Sequence, residues 1–286
     1  MPARNADAYL LLDADAGVRA TDNVTNAASP DGKKSDFISS AALSIGAYSQ
    51  VAEYTGVAAT LDIKSAASAN YAGINLVSTG FTVSANHKLG LGREALRLNL
   101  YGSVSQDRYH DGDRDSYSYK TGMGASRWFG DFLKMGIGYE YDKRTPLNES
   151  ATSCTYGYYG SSCTTTYAAE VYGLSGNSLL VNADLLVTED DTLTLAYRYR
   201  SGDVVSSDAP SASILSNSSA HSADKTFAGL YAYRLSGITH SGSVAVSHEL
   251  LRKLSLNLSY SYYSTTGNGG ISYQGNLFNV VFAFSQ

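Results

Sequence analysis

The chain has 286 residues and a formal net charge of −5, and Asp, Glu, Lys and Arg make up only 16% of it, against about 25% in an average soluble domain. Hydrophobic residues make up 43%, but no uninterrupted apolar run approaches the roughly 18 residues of a membrane-spanning helix. These values exclude a helical membrane protein, and the lack of a cationic stripe argues against nucleic-acid binding. With 27 Gly, 23 Tyr and only 4 Pro, the composition favours β-structure over disorder.

The N-terminal segment shows no secretory signal. Residues 1–7 are polar, and the apolar stretch at residues 8–12 is too short for the core of a signal peptide. We therefore expect the numbering to begin at a mature N-terminus with an added Met. The length fits one all-β domain over residues 1–286.

Alternation of apolar and polar residues is the strongest pattern, because a β-strand sends successive side chains to opposite faces. The first predicted strand has two distinct faces: Leu10, Leu12, Ala14, Ala16 and Val18 against Asp13, Asp15, Gly17 and Arg19. The complete set of predicted strands is 8–20, 37–50, 54–65, 73–88, 95–109, 116–129, 132–145, 167–187, 192–205, 226–249, 254–264 and 271–284. Most of these are longer than an average soluble strand.

The connectors between predicted strands alternate in length. Short turns fall near residues 50–54, 89–94, 129–132, 188–192 and 250–253, and long polar loops near 21–36, 65–73, 110–115, 146–166, 206–225 and 265–270. An even number of strands, about twelve, with short turns at one end and long loops at the other, is typical of bacterial outer-membrane barrels.

Tyrosines recur near the ends of the predicted strands, where they suit the aromatic girdles of a membrane barrel. They are Tyr109, Tyr117, Tyr119, Tyr139, Tyr141, Tyr197, Tyr199, Tyr231, Tyr233, Tyr260 and Tyr262. We predict an all-β fold, a closed antiparallel up-and-down transmembrane β-barrel whose apolar faces point at lipid and whose polar faces point inward. A soluble sandwich, propeller or lectin-like fold is the alternative, but its strands would be shorter and its surface more charged.

Charged residues on the inferred inner face form the main candidate site. They are Asp13, Asp15, Asp62, Lys64, Arg97, Asp107, Lys120, Lys134, Glu140, Asp142, Asp184, Arg198 and Arg200. Their signs nearly balance. Such a set predicts either a constriction that orients small polar or charged solutes, or salt bridges that only stabilise the wall.

Two smaller features bear on chemistry. Cys154 and Cys163, the only cysteines, lie in a segment without His or acidic neighbours, which favours a disulfide in an oxidising compartment over a metal site, with two unpaired thiols as the alternative.

Asp111, Asp113 and Asp115 alternate as in a calcium loop, but the position of the last EF-hand ligand is Gly122. We expect a solvated acidic loop, with a weak cation site bridging lipopolysaccharide phosphates as the alternative.

Catalysis has little support in the residue pattern. The chain has five histidines, and none has a recognisable metal or catalytic spacing, so we expect no cofactor, no bound metal and no enzymatic activity. An outer-membrane lipase or protease is the alternative.

The C-terminal segment 274–284, QGNLFNVVFAF, resembles the closing strand of Gram-negative outer-membrane proteins. Segments 15–24, 138–141 and 196–199, with sequences DAGVRATDNV, GYEY and AYRY, resemble strands of barrels that accompany exopolysaccharide clusters or surface-lipoprotein assembly. The resemblance implies a porin-like protein of the bacterial outer membrane, surrounded by lipid and lipopolysaccharide and folded by the barrel-assembly machinery.

The sequence favours a passive channel for small hydrophilic solutes, with selectivity set by the charges of the lumen. One alternative is a conduit or scaffold for a partner, such as an exopolysaccharide or an exported polypeptide. Another is a closed structural or adhesive barrel.

Overall fold

The structure, a computed structural model, describes residues 8–148, 151–157, 160–166 and 168–286, and the side chains of 8–148 and 168–286. The described strands are β1 (Ala8–Thr21), β2 (Asp36–Ala52), β3 (Thr55–Ser68), β4 (Leu76–Leu89), β5 (Leu96–Tyr109), β6 (Ser116–Phe129), β7 (Leu133–Pro146), β8 (Ala151–Gly157), β9 (Gly160–Thr166), β10 (Leu174–Leu186), β11 (Asp191–Asp208), β12 (Ala220–Ala223), β13 (Tyr231–Leu251), β14 (Leu254–Gly267) and β15 (Ser272–Ser285).

Twelve of these strands form a closed antiparallel up-and-down barrel. From β1 to β7 each strand pairs with the next, β7 pairs with β10 and β10 with β11. The β11 strand pairs with β13, and the sheet closes where β15 pairs with β1. The predicted fold class is therefore confirmed.

The other elements lie in the connections at one end of the barrel, which we call the long-loop end. The β8–β9 hairpin lies between β7 and β10, and β12 pairs with β13. A short helix, α1 (Ala212–Asn217), begins after Ser211, whose hydroxyl accepts a hydrogen bond from the backbone N–H of Ile214. Single 3₁₀ turns cover Ala72–Ile74, Gly112–Arg114, Ala168–Tyr172 and Asn268–Gly270.

No helix within the described residues is long and apolar enough to cross a membrane.

The predicted strands correspond in order to the barrel strands. The largest boundary errors are at β10, which begins at Leu174 instead of residue 167, and at β13, which begins at Tyr231 instead of 226. The sequence did not predict β8, β9, β12 or α1, because their short polar runs lack the apolar alternation that identified the barrel strands.

The two faces of the barrel differ as the alternation predicts. Large apolar side chains stay exposed on the outer face, among them Leu61, Leu100 and Ile137, with Leu61 exposed to 64%. The fully buried apolar side chains lie instead at the long-loop end, where Tyr233, Leu235 and Tyr273 are at most 1% exposed. Apolar burial therefore concentrates at one end of the barrel and not in its middle.

The girdle assignment is wrong for three tyrosines. Strand register places Tyr109, Tyr231 and Tyr233 on the inner face, and Tyr233 is fully buried. The β13 strand continues beyond the part of the barrel that pairs with β14, so Tyr233 is buried within the long-loop end, where Tyr231 stays exposed. By contrast, Tyr119 and Tyr197 are exposed on the outer face, as predicted.

The assignment of faces can be tested in the middle of β5. Val104 is exposed on the outer face, and its neighbour Ser103 lies on the inner face opposite Lys120. Arg on the lipid side near the bilayer centre costs about 2–4 kcal/mol, so Val104→Arg should reduce assembly of the heat-modifiable barrel. Ser103→Arg should assemble normally. Equal loss of the folded band in both variants would contradict the assignment.

Candidate functional site

Strand register places every charged residue of the predicted lumen set on the inner face of the barrel. For example, Asp13 pairs with Ser44, Ser44 with Asp62, and Asp62 with Gly80, so these positions share one face. Arg19 lies on the same face, near the end of β1, although it was not in the predicted set. The contacts of these side chains divide them into three groups.

The first group consists of ion pairs on the inner face of β7, β10 and β11. The pairs, with their N–O distances, are Lys134 with Asp184 at 3.4 Å, Arg198 with Glu140 at 3.1 Å, and Arg200 with Asp142 at 2.8 Å. The two arginines lie on β11 and reach across β10 to carboxylates on β7. Because partly buried ions need partners, these pairs neutralise each other and connect three neighbouring strands.

Arg200 has the most complete set of contacts in this group. Its guanidinium donates to both carboxylate oxygens of Asp142, at 3.1 and 2.8 Å, and to the backbone carbonyl of Asp203 at 2.8 Å. It crosses β10 at Gly176, where a Cβ atom would collide with the guanidinium. A larger residue at Gly176 would therefore displace the Arg200 guanidinium from this position.

The second group consists of two carboxylates held by hydroxyl groups. Asp62 accepts hydrogen bonds from Ser44 at 2.6 Å, Thr82 at 2.7 Å and Thr60 at 3.1 Å. Asp107 in the same way accepts from Ser78, Ser105 and Ser118. Neither carboxylate has a basic partner within 4.0 Å among the described side chains. Hydroxyl groups, and not bases, therefore satisfy both carboxylates.

The third group has no ion pair with a described residue. It consists of Asp13, Asp15, Arg19, Lys64, Arg97 and Lys120. Within it, Arg19 donates from Nε to the side-chain oxygen of Asn279 at 2.7 Å, and Asp13 accepts from the Ser285 hydroxyl at 2.5 Å. All six of these residues are exposed, so their charges face water.

An extension of β11 and β13 forms much of the long-loop end. It begins at a row of four directly paired glycines, Gly176, Gly202, Gly237 and Gly267, on β10, β11, β13 and β14. A Cβ atom on Gly237 would lie 2.9 Å from the carbonyl oxygen of Thr266, and one on Gly202 would collide with the backbone of β10. Beyond this row, residues 203–208 pair with 231–236.

Both faces of this extension are packed. On one face, Tyr233 and Leu235 form a buried cluster with Ile214 of α1 and Tyr273 of β15. On the other, Ala232 packs with Val171, Tyr172 and Ala220. The extension is therefore enclosed between two layers of loop structure, and we call residues 22–35 and 203–236 together the cover.

A buried carboxylate joins the two parts of the cover. Asp208 is 1% exposed and accepts hydrogen bonds from the backbone N–H groups of Ala28 at 2.9 Å, Ser29 at 2.8 Å and Ala209 at 2.8 Å, and from the Ser29 hydroxyl. Gly32 leaves room for this carboxylate. Since β13, β14 and β15 separate β1 from β11 in the barrel, loop 22–35 spans that part of the opening.

A buried ion pair connects the cover to the loop between β5 and β6. Arg114 lies 2.8 Å from Asp224 and 3.5 Å from Asp111, and its guanidinium lies over the ring of Tyr172 at 4.7 Å. Burial acts to lower the pKa of Arg114, but its interactions with Tyr172 and Asp224 outweigh burial and raise this pKa above its ordinary value. Arg114 therefore stays charged at physiological pH.

The predicted solvated acidic loop is wrong, because Asp111 and Asp115 are each only 8% exposed. The structure places a base beside each of the three aspartates: Asp111 with Arg114 at 3.5 Å, Asp113 with Lys225 at 2.7 Å, and Asp115 with Arg108 at 2.9 Å. Within the residues that the structure describes, no three acidic, His or Cys side chains are grouped to hold a metal. Each of the three aspartates therefore has a basic side chain as its ion-pair partner.

The two cysteines lie on the β8–β9 hairpin, where the backbone register places Cys154 directly opposite Cys163. Their side chains are outside the described residues, so the disulfide stays a prediction. It can be tested by alkylating the oxidised, unfolded protein without reductant. A paired protein should gain no mass until a reductant is added, whereas labelling of both thiols before reduction would contradict the pairing.

Comparisons with known proteins support the fold. No protein-family model matches the chain, and no curated protein matches it. Among solved structures, an outer-membrane channel from Pseudomonas putida F1 is similar over 97% of this chain and 95% of its own, at 10% identity and a TM-score of 0.58. The NanC porin is similar over 96% and 98%, at 12% identity and a TM-score of 0.48. The similarity to the Pseudomonas putida channel shows that the chain has the fold of an outer-membrane β-barrel.

The role of the buried ion pair predicts an effect on the cover. Arg114→Gln leaves Asp224 buried without its base, and breaking a buried pair in this way costs about 3–5 kcal/mol. We expect loop 209–230 to open locally and tryptic cleavage after Lys225 to become faster, as measured by mass spectrometry, while the barrel stays folded.

A matched control is the exposed pair of Arg93 and Asp131, whose side chains are 45% and 97% exposed. Exposed pairs contribute about 0–1 kcal/mol, so Arg93→Gln should leave cleavage after Lys225 unchanged. Cleavage of the Arg114→Gln variant at the wild-type rate would show that the pair does not hold the cover.

Proposed function

We propose that this barrel lies in the outer membrane of a Gram-negative bacterium and is a passive channel for small hydrophilic solutes. The observation that carries the proposal is the inner face, where exposed charges such as Arg19, Lys64 and Lys120 have no ion-pair partner among the described residues. Unpaired charges at a water-exposed inner surface can act on passing ions. The fold shared with a known outer-membrane channel is consistent with this role.

The contacts suggest that the charged residues of the lumen have different roles. We assign a structural role to the three ion pairs on β7, β10 and β11, since their charges are neutralised within the wall. Outside these pairs, the predicted charged set together with Arg19 contains four acids, Asp13, Asp15, Asp62 and Asp107, and four bases, Arg19, Lys64, Arg97 and Lys120. The strand register places two more acids and two more bases on the inner face, Asp36, Glu249, Lys88 and Arg144. Because these signs balance, the channel should discriminate only weakly between anions and cations.

The side chains of the outer face support the proposed membrane location. Its exposed apolar residues, such as Leu61 and Ile63, suit the hydrocarbon of a membrane, and Tyr119 and Tyr197 suit the boundary with lipid and lipopolysaccharide headgroups. Assembly would then depend on the barrel-assembly machinery. We infer no enzymatic activity.

The cover favours a second candidate, a closed barrel with a structural role or a conduit that a partner opens. Two buried contacts hold the cover in place, the Asp208 carboxylate with loop 22–35 and Arg114 with Asp224. A barrel kept closed by these contacts would fold normally but conduct no ions.

Single-channel recording of the folded protein in a planar bilayer distinguishes the two candidates. A channel should give discrete openings, with a small reversal potential in asymmetric salt. Arg97→Glu should shift that reversal potential towards cations, because it reverses one unpaired inner-face charge. Lys143→Glu, at an exposed outer-face position of β7, should not. A folded protein without openings would reject the open channel and favour the closed barrel.

A further inference from the structure

We propose that a cavity between the lumen wall and the cover binds small monocarboxylic acids that have an apolar body, such as benzoate. This inference names a substrate class for the proposed channel function and rests on it. The cavity has a volume of about 450 Å³, within the range of small-molecule sites. Inner-face residues of the barrel strands line it together with Asn23, Val24 and Asn26 of loop 22–35. It therefore lies at the long-loop end of the lumen, against the cover.

A base without an ion-pair partner gives the cavity its charge. Arg19 is exposed and has no acidic side chain within 4.0 Å among the described residues. Its Nε donates to Asn279 at 2.7 Å, and Asn279 donates to the Ser259 hydroxyl at 2.9 Å. These two contacts orient the guanidinium and leave its terminal nitrogens without a partner among the described residues. Two N–H groups of a guanidinium match the two oxygens of a carboxylate, so Arg19 is placed to bind one.

The other charged residues that line the cavity are already engaged. The Arg200 guanidinium donates to both oxygens of Asp142 and to the backbone carbonyl of Asp203. The Asp203 carboxylate accepts from the backbone N–H of Ser175 at 2.9 Å and from its hydroxyl at 3.1 Å, and Ser175 pairs with the outer-face residue Lys143. One unpaired positive charge remains at Arg19. It favours a monoanion such as a carboxylate over a phosphate monoester, which carries nearly two negative charges.

Most of the cavity surface is apolar, and several large side chains supply it. They are Ile38 on β2, Leu174 on β10, Leu277 on β15, Val204 on β11 and Val24 of loop 22–35. Strand register places the first three on the inner face of the barrel, and all five are only partly buried. Apolar surface left against water is unfavourable, and the hydrocarbon body of a ligand would cover it. The wall therefore fits the apolar part of the ligand, while Arg19 fits its carboxylate.

Binding of benzoate to the folded barrel in detergent, measured by titration calorimetry at neutral pH, tests the site without requiring transport. Micelles without protein give the background heat. We expect saturable binding to the wild type. Arg19→Gln should weaken it at least about tenfold, the loss expected when the charged donor of a carboxylate is removed. A normal heat-modifiable band confirms that the variant is folded.

Two comparisons separate the charge of the site from its apolar wall. Acetate has the carboxylate without the apolar body, so it should bind the wild type at least about tenfold more weakly than benzoate. Ile38→Thr keeps a β-branched residue in the strand but removes apolar contact, and it should weaken benzoate about threefold while leaving acetate unchanged.

The matched control is Lys143→Gln, which removes one positive charge from the outer face of β7 and should bind benzoate like the wild type. The proposal is overturned if Arg19→Gln binds as the wild type does, if Lys143→Gln weakens binding equally, or if acetate binds as tightly as benzoate. A protein that conducts KCl but does not bind benzoate refutes the site alone. A protein that binds benzoate but conducts no ions supports the site and refutes the channel.

Discussion

Closure of the sheet is the constraint on which the rest of the structure depends. Every backbone N–H and C=O in hydrocarbon must have a hydrogen-bond partner, and the pairing of β15 with β1 supplies the last row of them. Closure allows the outer side chains to be apolar and the inner ones polar, as with Leu61 beside Asp62. It also creates a hydrated interior whose charges must be satisfied by one another, by hydroxyls or by water.

The inner wall uses each of these solutions in a different place. On β7, β10 and β11, ion pairs such as Arg200 with Asp142 connect strands, while hydroxyls surround Asp62. On β13 and β14 the inner-face side chains from Thr239 to Ser247 and from Ser255 to Thr265 are uncharged and need no ionic partner. Charge therefore varies around the barrel, and Arg19 on β1 donates to Asn279 of the neighbouring β15.

The sequence predicts the strands and their inner face well, because a period of two is a local signal that residues such as Asp13 and Leu12 carry by themselves. It does not predict the partners of those residues. Arg200 and Asp142 are 58 positions apart, and Asp208 is 180 positions from Ala28. The prediction of a solvated acidic loop at residues 111–115 is wrong for this reason, since Lys225 and Thr226, which contact Asp113 and Asp111, belong to a distant loop.

The cover follows from the extra length of β11 and β13. Beyond the glycine row these strands have no neighbours in the β10 and β14 register, so their edges and faces need other partners. The backbone N–H of Ser207 donates to the carbonyl of Thr25, and the Asn26 side chain donates to the carbonyl of Val205. The barrel wall is held by backbone pairing, and in the cover the pairing of residues 203–208 with 231–236 is joined by apolar packing and two buried charged contacts. Regions stabilised by such different contacts can open separately. Loop 22–35 lies between β1 and β2, outside the barrel strands, so its contacts with Asp208 can break without disturbing the backbone pairing of the wall.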